Sequence, residues 1–200
     1  MSGELGDITH MRVHCFGGDW ICNVGKPITT DEPYMPVKPR PPEGLSGDQI
    51  KDFYWMNNVY CHNVNLIRHL IGDIIDIQYA DLSGPTKIMV FGMDGFDVTL
   101  EVEHLSSKFW DEEFKIYFED GWIEIHPPPP LLKNTPAQIS VYKAGKTQEH
   151  VQPQAAWEWA FKRADEHFIQ CIIEDTPPRS TGADSVRDLE IFDEVFRRFV

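Results

Sequence analysis

The chain has 200 residues, of which 42% are hydrophobic and 25% are charged, so we predict one globular domain, 1–200, with its own core. Its net charge of −14 is spread along the whole length and argues against binding to nucleic acid or to an anionic membrane surface. The sequence has no apolar run of the ~20 residues that a membrane span requires and no signal peptide, which predicts a cytoplasmic protein.

The four cysteines are irregularly spaced and form no CxxC pair. This spacing favours reduced, mostly buried thiols over a disulfide framework or a zinc site.

The first predicted element is a strand over residues 8–15, where apolar and polar side chains alternate. Residues 17–47 contain six prolines and predict a long loop, which is either functional or a surface linker. A helix is predicted from about Asn57 to Ile71, ending at Gly72. Its apolar stripe predicts a core face, and the opposite face carries neutral polar groups.

A block of short alternating segments follows, separated by Gly- and Pro-containing turns. Consecutive strands with tight turns predict an antiparallel sheet, and the helices lie outside the block, which makes the fold class α+β. The predicted strands are 74–82, 87–91, 97–104, 113–118, 122–125 and 138–142.

Two amphipathic helices are predicted to close the chain, the second beginning with a capping box at Thr181–Asp184. Both apolar stripes are predicted to lie in the core. The first stripe comprises Trp157, Phe161, Ala164, Phe168, Cys171 and Ile172, and the second comprises Leu189, Phe192, Phe196 and Phe199.

The sequence contains no GxGxxG, P-loop, GxSxG or HExxH motif. The best candidate site is the polar helix face of Asn58, His62 and Asn65, since a histidine can exchange a proton and amides can bind hydroxyls. The alternative is a solvated face, although such faces are usually rich in Lys and Glu.

Three residues near the start of the chain, Arg12, His14 and Trp20, are candidates for lining the same cleft, with a purely structural role as the alternative. Residues 111–113 are three consecutive acidic residues, and we interpret them as an exposed turn rather than a metal cluster.

Two segments carry a family resemblance. The run 58–72 resembles the C-terminal-domain signature of the Gfo/Idh/MocA oxidoreductases, in which a histidine is flanked by acidic residues on a helix that ends in Gly. Residues 168–184, with Gly182-Ala-Asp184, resemble the end of that domain, and Gly6-Asp7-Ile8 resembles its first strand. The order of elements also agrees, so the resemblance covers essentially the whole chain.

The resemblance implies a mainly antiparallel, open-faced sheet with helices packed on one face and a second face that mediates homo-oligomers. It implies that His62 is the acid/base group for a sugar, polyol or related hydroxy compound. Asn58 and Asn65 stand where the family often has Asp, and an amide cannot raise the basicity of a histidine as a carboxylate does.

The family's N-terminal Rossmann domain has no counterpart in these 200 residues, so NAD or NADP is expected to bind only when such a domain is supplied. The sequence therefore fits an excised domain of a longer enzyme or a natural short protein. Two functions remain open: the substrate-binding and oligomerisation domain of an NAD(P)-dependent oxidoreductase, and a stand-alone, non-enzymatic binding or assembly module. A hydrolase or lyase that uses His62 ranks last, because the sequence offers it no recognisable nucleophile or metal partner.

Overall fold

A computed structural model describes residues 3–19, 31–33 and 40–200. In chain order, its elements are as follows: β1 (Ile8–Gly17), α1 (Gly47–Trp55), a π-helical turn (Met56–Tyr60), α2 (Cys61–Ile71), β2 (Asp76–Asp81), β3 (Lys87–Gly92), β4 (Asp97–His104), β5 (Asp111–Phe118), β6 (Gly121–His126), β7 (Gln138–Lys143), β8 (Glu149–Val151), α3 (Ala160–Glu174) and α4 (Gly182–Phe199). Most of the predicted 17–47 loop, including Cys22, lies outside the described residues.

The strands form one eight-stranded sheet in the order β2-β3-β4-β1-β5-β6-β7-β8. Each neighbouring pair is antiparallel except β1 and β4, which run parallel. The predicted α+β class with a mainly antiparallel sheet is therefore confirmed. Gly95 has a φ of +89° in the turn between β3 and β4, a conformation that glycine adopts without a steric penalty.

The core lies between one face of the sheet and the helices α1, α2 and α4. Alternate side chains of the central strands point into it, and burial of each large one contributes about 1.5–3 kcal/mol of transfer free energy. Fully buried examples are Met11, Met89, Phe91, Leu100 and Phe114 from the strands, with Val64, Ile67 and Phe192 from the helices.

The helix predicted from Asn57 begins ten residues earlier, at Gly47. The π-helical turn explains why the sequence pattern did not extend back that far. A π turn accommodates an extra residue per turn, so it disrupts the 3.6-residue spacing on which the prediction depends. Both Val59 and Tyr60 are buried although they are adjacent in sequence. The predicted end at Gly72 is confirmed.

The two closing helices differ from the prediction to different degrees. In α4, Phe192 and Phe196 are buried as predicted, but Leu189 is exposed and the stripe runs instead through Ile191 and Val195. Of the predicted capping box the N-cap bond is present: the Asp184 backbone N–H donates to Thr181 Oγ1 at 3.1 Å.

For α3 the core prediction is wrong. All fifteen of its residues are described, and Cys171 alone is buried. No helix or strand of the described residues packs over the other large apolar side chains of α3 or over Trp157, which precedes the helix. Trp157, Phe161, Phe168, Ile169, Ile172 and Ile173 are 49–71% exposed.

The second face of the sheet is open over the described residues. A row of rings crosses five strands on this face, and the backbone register places each ring opposite the next. The Trp122 and Tyr142 rings stack at 5.9 Å between centroids, and Lys115 lies over Trp122 at 4.3 Å. The row comprises His10, Tyr117, Trp122, Tyr142 and His150.

The described helices include none with the length and apolar character that crossing a bilayer requires.

Candidate functional site

A cavity of about 540 Å³ opens beside α2 and is the best candidate for the functional site. One wall comes from α2 and the start of β5, and another comes from the proline run 127–130 and the first half of α3. Its mainly apolar walls carry a few convergent polar groups, which is the usual composition of a small-molecule site. The lining side chains that matter below are His62, Asn63, Glu112, Trp159 and Phe161.

His62 is the one residue of the predicted polar set that lines this cavity. It is exposed in the first turn of α2, one residue before the buried Asn63. An imidazole in this position can reach a bound molecule and exchange a proton with it.

Two carboxylates line the cavity, and of these Glu158 is exposed and pairs with Arg163 at 2.9 Å. The other is Glu112. Asn63 Nδ2 donates to Glu112 Oε1 at 2.7 Å and Trp110 Nε1 donates to Glu112 Oε2 at 2.9 Å, so both oxygens are held. Burial raises the pKa of Glu112, and these two hydrogen bonds offset part of that rise. Glu112 therefore retains its proton to a higher pH than an exposed glutamate does.

The interpretation of residues 111–113 as an exposed turn is wrong. They begin β5, where side chains alternate between the faces. Glu112 lies on the helix side opposite Cys15, whereas Asp111 and Glu113 lie on the open face. Sequence reasoning missed Glu112 and Asn63 because each interrupts an apolar pattern with a polar residue, and only the contact between β5 and α2 shows that the two are partners.

Asn65 does not join His62 at the cavity. Its Nδ2 donates to Asp184 Oδ2 at 3.0 Å and to Asp188 Oδ2 at 2.8 Å. One turn later, Arg68 pairs with the same two carboxylates at 2.9 and 2.6 Å. These contacts join α2 to α4, so Asn65 has a structural role in this chain. The two segments that carry the family resemblance are thus in direct contact.

Asn58 is exposed on the π-helical turn and is not among the residues that line the cavity. The predicted alignment of Asn58, His62 and Asn65 as one binding row is therefore not what the structure shows.

Arg12 and His14 lie on the open face of β1, whereas Met11, Val13 and Cys15 of the same strand point to the helices. His14 Nε2 is 3.2 Å from Asp111 Oδ1. The sheet therefore separates both residues from His62, and the prediction that they share its cleft is wrong. The reason is strand alternation, which places 12 and 14 opposite the core residues. Trp20 lies outside the described residues.

Among the described residues, Glu113, Glu124 and His126 present ligand atoms within 4.8 Å of one another and could hold a metal ion. They lie on the open face, across the sheet from His62. Lys115 Nζ already pairs with Glu124 at 2.6 Å, and His126 pairs with the same carboxylate at 2.9 Å. These ion pairs account for the cluster without a metal.

Neither a protein-family model nor a curated protein matches this sequence. Solved structures do share its fold. A putative NADPH-dependent oxidoreductase from Desulfitobacterium hafniense has a TM-score of 0.71 at 9% identity, over 99% of this chain and 56% of that one. A levoglucosan dehydrogenase in complex with NADH and levoglucosan has a TM-score of 0.67 at 14% identity, over 98% and 57%.

A dehydrogenase (MviM) from Clostridium difficile has a TM-score of 0.65 at 12% identity, over 98% of this chain and 56% of its own. The chain thus spans little more than half the length of these structures. They are oxidoreductases of the Gfo/Idh/MocA type, the type that the sequence resemblance indicates. The fold of this chain is that of the C-terminal domain of the Gfo/Idh/MocA-type oxidoreductases.

Proposed function

We propose that this chain is the substrate-binding and oligomerisation domain of an NAD(P)-dependent oxidoreductase that acts on a sugar, polyol or related hydroxy compound. The observation that carries the proposal is the cavity in which His62 and Glu112 face one space beside the uncovered helix α3. The fold neighbour that binds levoglucosan and NADH supports the substrate class.

His62 would exchange the proton of a substrate hydroxyl. Loss of that proton from the oxygen is the part of alcohol oxidation that a side chain of this domain can assist. Glu112 supplies the carboxylate that Asn58 and Asn65 do not, and its raised pKa suits a group that shares protons. Asn63 holds Glu112 and so positions it.

The nicotinamide cofactor would belong to a separate nucleotide-binding unit. Dinucleotides are held where a glycine-rich turn leads from a strand into a helix N-terminus. In the described part of the chain, α1, α3 and α4 all begin after irregular segments and not directly after a strand. These residues therefore do not fit a pyrophosphate cradle, and we expect no NAD(P) binding by the chain alone in calorimetric titration.

The nucleotide-binding unit would dock on α3. The apolar stripe of this helix is uncovered, and its residue Phe161 also lines the cavity. A unit seated there would close the cavity over His62. Contiguous exposed apolar surface of this kind is typical of an interaction site.

The open face of the sheet would mediate self-association. Helices cover one face of the sheet, so the other face is free to contact a second copy of the chain. That face carries the row of rings and several charged groups. Sedimentation at micromolar concentration should show a dimer or larger species. A monomer at every concentration would remove this part of the proposal.

A stand-alone binding module is the second candidate. It is favoured by the placement of Asn58 and Asn65, neither of which joins His62 at the cavity. The two candidates are separated by supplying a nucleotide-binding domain, either fused ahead of the chain or added in trans, and measuring NAD(P) reduction with a panel of sugars and polyols.

In that assay, His62→Ala should lower turnover by about 10²–10⁴-fold. His69→Ala is the matched control, because His69 is exposed on the same helix but does not line the cavity. Equal turnover in the two variants would remove His62 from the reaction, and no NAD(P) reduction with any compound of the panel would leave the binding module as the better account.

A further inference from the structure

The cavity beside α2 has walls made largely of proline, alanine and aromatic side chains. The proline run 127–130 lines one side, and the rings of Trp159 and Phe161, at the start of α3, lie 5.4 Å apart between centroids. The buried Trp110 also lines the cavity. A molecule bound here therefore meets apolar surface on most of its sides.

Both tryptophans use their polar atom within the chain. Trp159 Nε1 donates to the carbonyl of Pro130 at 3.2 Å, and Trp110 Nε1 donates to Glu112 Oε2 at 2.9 Å. Lys133 Nζ lies over the Trp159 ring at 4.8 Å from its centroid and helps to fix that ring. Because an indole has no other hydrogen-bonding atom, both rings offer a ligand apolar surface alone.

The polar side chains of the walls are also engaged within the chain. Asn63 Nδ2 donates to Glu112 Oε1 at 2.7 Å, and Arg163 pairs with Glu158 at 2.9 Å. The Thr135 hydroxyl donates to a backbone carbonyl at 3.3 Å. A ligand with many hydroxyls would have to break these contacts or leave its own hydroxyls unpaired. Each hydroxyl that is buried without a partner weakens binding about tenfold.

His62 is the exception among the polar side chains of the cavity. Within the part of the chain that the structure describes, its imidazole takes part in no hydrogen bond or ion pair. It is exposed, whereas the lining residues Val59 and Asn63 are buried, so it lies toward the open side of the cavity. One imidazole can bind one hydroxyl at this position, with apolar surface behind it.

The size and charge of the cavity narrow the ligand further. A volume of about 540 Å³ leaves room for a fused two-ring skeleton. Arg163 is the cation among the described lining residues apart from a protonated His62, and it is already paired with Glu158. A carboxylate or phosphate group would have to break that pair, whereas a neutral molecule would not.

We propose that this cavity takes a neutral alcohol whose hydroxyl is carried by an apolar ring system, with the hydroxyl at His62 and the rings against Trp159, Phe161 and the proline run. The proposal rests on the function proposed above and narrows its substrate class to hydroxy compounds with an apolar body. In that reaction the hydroxyl proton passes to His62, and the hydrogen on the carbinol carbon leaves as hydride for the oxidised nicotinamide. The electron pair of the O–H bond then completes the carbonyl of the product.

The first experiment measures binding to the full chain without a cofactor. The probe is 1-tetralol, an alcohol with two fused rings, and the readout is ¹H–¹⁵N NMR of the tryptophan indole N–H groups. The chain has six tryptophans, and the peak of Trp159 is identified by its loss in Trp159→Phe. We expect a saturable shift of that peak, which a tenfold molar excess of myo-inositol should not reverse. A static peak, or displacement of 1-tetralol by myo-inositol, would overturn the proposal.

Phe161→Ala removes part of the apolar wall and should weaken the binding of 1-tetralol at least fivefold. Phe161 is 49% exposed, so the variant should fold as the unaltered chain does. Phe168→Ala is the matched control, because Phe168 is an exposed ring of the same helix that does not line the cavity. This control should leave the affinity unchanged. Equal affinities in the two variants would place the ligand elsewhere and overturn the proposal.

The second experiment separates this proposal from the proposed function. With a nucleotide-binding domain supplied, kcat/KM for NAD(P) reduction should be at least tenfold higher with 1-tetralol than with myo-inositol. Turnover of myo-inositol but not of 1-tetralol would overturn the apolar substrate class and support the proposed function. Saturable binding of 1-tetralol with no turnover of any compound would support the ligand class and overturn the proposed function.

Discussion

Helices α3 and α4 have similar sequence patterns and opposite environments. Each is amphipathic, and each was predicted to bury its apolar stripe. In α4, Phe192 is 0% exposed and packs in the core, whereas in α3 the corresponding stripe residue Phe168 is 58% exposed. The periodicity of a helix thus shows that one face prefers an apolar partner, but it does not show whether this chain supplies that partner.

The difference lies in what anchors each helix. α4 is joined to α2 by the pairs of Arg68 with Asp184 and Asp188, and Asp188 is itself buried. At the start of α3, Trp159 Nε1 donates to the carbonyl of Pro130 at 3.2 Å, and at its end His167 accepts from the backbone N–H of Arg179 at 3.1 Å. These contacts make α4 part of the core of this chain, whereas the role of α3 that we propose is to associate with another unit.

The largest expected effect is in the core of α4. Phe192→Ala should reduce the free energy of unfolding by about 3–5 kcal/mol, because it leaves a cavity in packed surroundings. Phe168→Ala in α3 is the matched change and should stay within about 0.5 kcal/mol. Chemical denaturation of both variants tests this, and equal losses would show that α3 is as much part of the core as α4.

A somewhat smaller effect is expected at the contact between α2 and α4. Arg68→Met leaves the buried Asp188 without its cation and should cost about 3 kcal/mol. Arg197→Met at the exposed pair with Asp193 should cost at most about 1 kcal/mol. Urea midpoints at pH 7 measure both, and a mild Arg68 variant would mean that the helices do not depend on this pair.

Asp184 at the start of α4 and Glu112 in the cavity beside α3 should make opposite contributions to the pH dependence of stability. The hydrogen bond from Asn65, with help from Arg68, lowers the pKa of Asp184, so its contribution is present above the unfolded pKa of about 4 and is lost as pH falls. Burial raises the pKa of Glu112, so the folded state binds this proton more tightly than the unfolded state does. The resulting contribution to stability is therefore full below the unfolded pKa and is lost as pH rises through the raised pKa of the folded state.

Melting curves of Glu112→Gln and Asp184→Asn between pH 3 and pH 8 separate the contribution of Glu112 from that of Asp184. Relative to the unaltered chain, Glu112→Gln should gain stability as pH rises, and Asp184→Asn should lose stability as pH rises. A difference for Glu112→Gln that does not change with pH would contradict the raised pKa.

The regular elements were predictable because their signals are local. The alternation of apolar and polar residues predicted the bounds of most strands to within a few residues. The end of α2 at Gly72 and the N-cap of α4 at Thr181 were predictable from backbone chemistry. Strand β8 was missed, since three exposed residues carry no alternating pattern.

The site was less predictable because its residues are brought together by distant contacts. His62 was predicted from the polar face of its helix. The position of Glu112 depends on the pairing of β5 with β1, which a sequence pattern does not show. Asn65 binds two carboxylates of α4 that lie 119 and 123 residues further along the chain. A helical wheel treats Asn58, His62 and Asn65 as equivalent, whereas tertiary contacts separate them.

The most direct test of this account is amide hydrogen exchange of the chain with and without a nucleotide-binding domain. Alone, the amides of α4 should exchange near the global unfolding rate, and those of α3 should exchange at least tenfold faster. With the nucleotide-binding domain present, protection should rise along Phe161–Ile172 and remain unchanged in α4. Equal protection of α3 and α4 in the chain alone, or no gain in α3 on addition of that domain, would contradict the account.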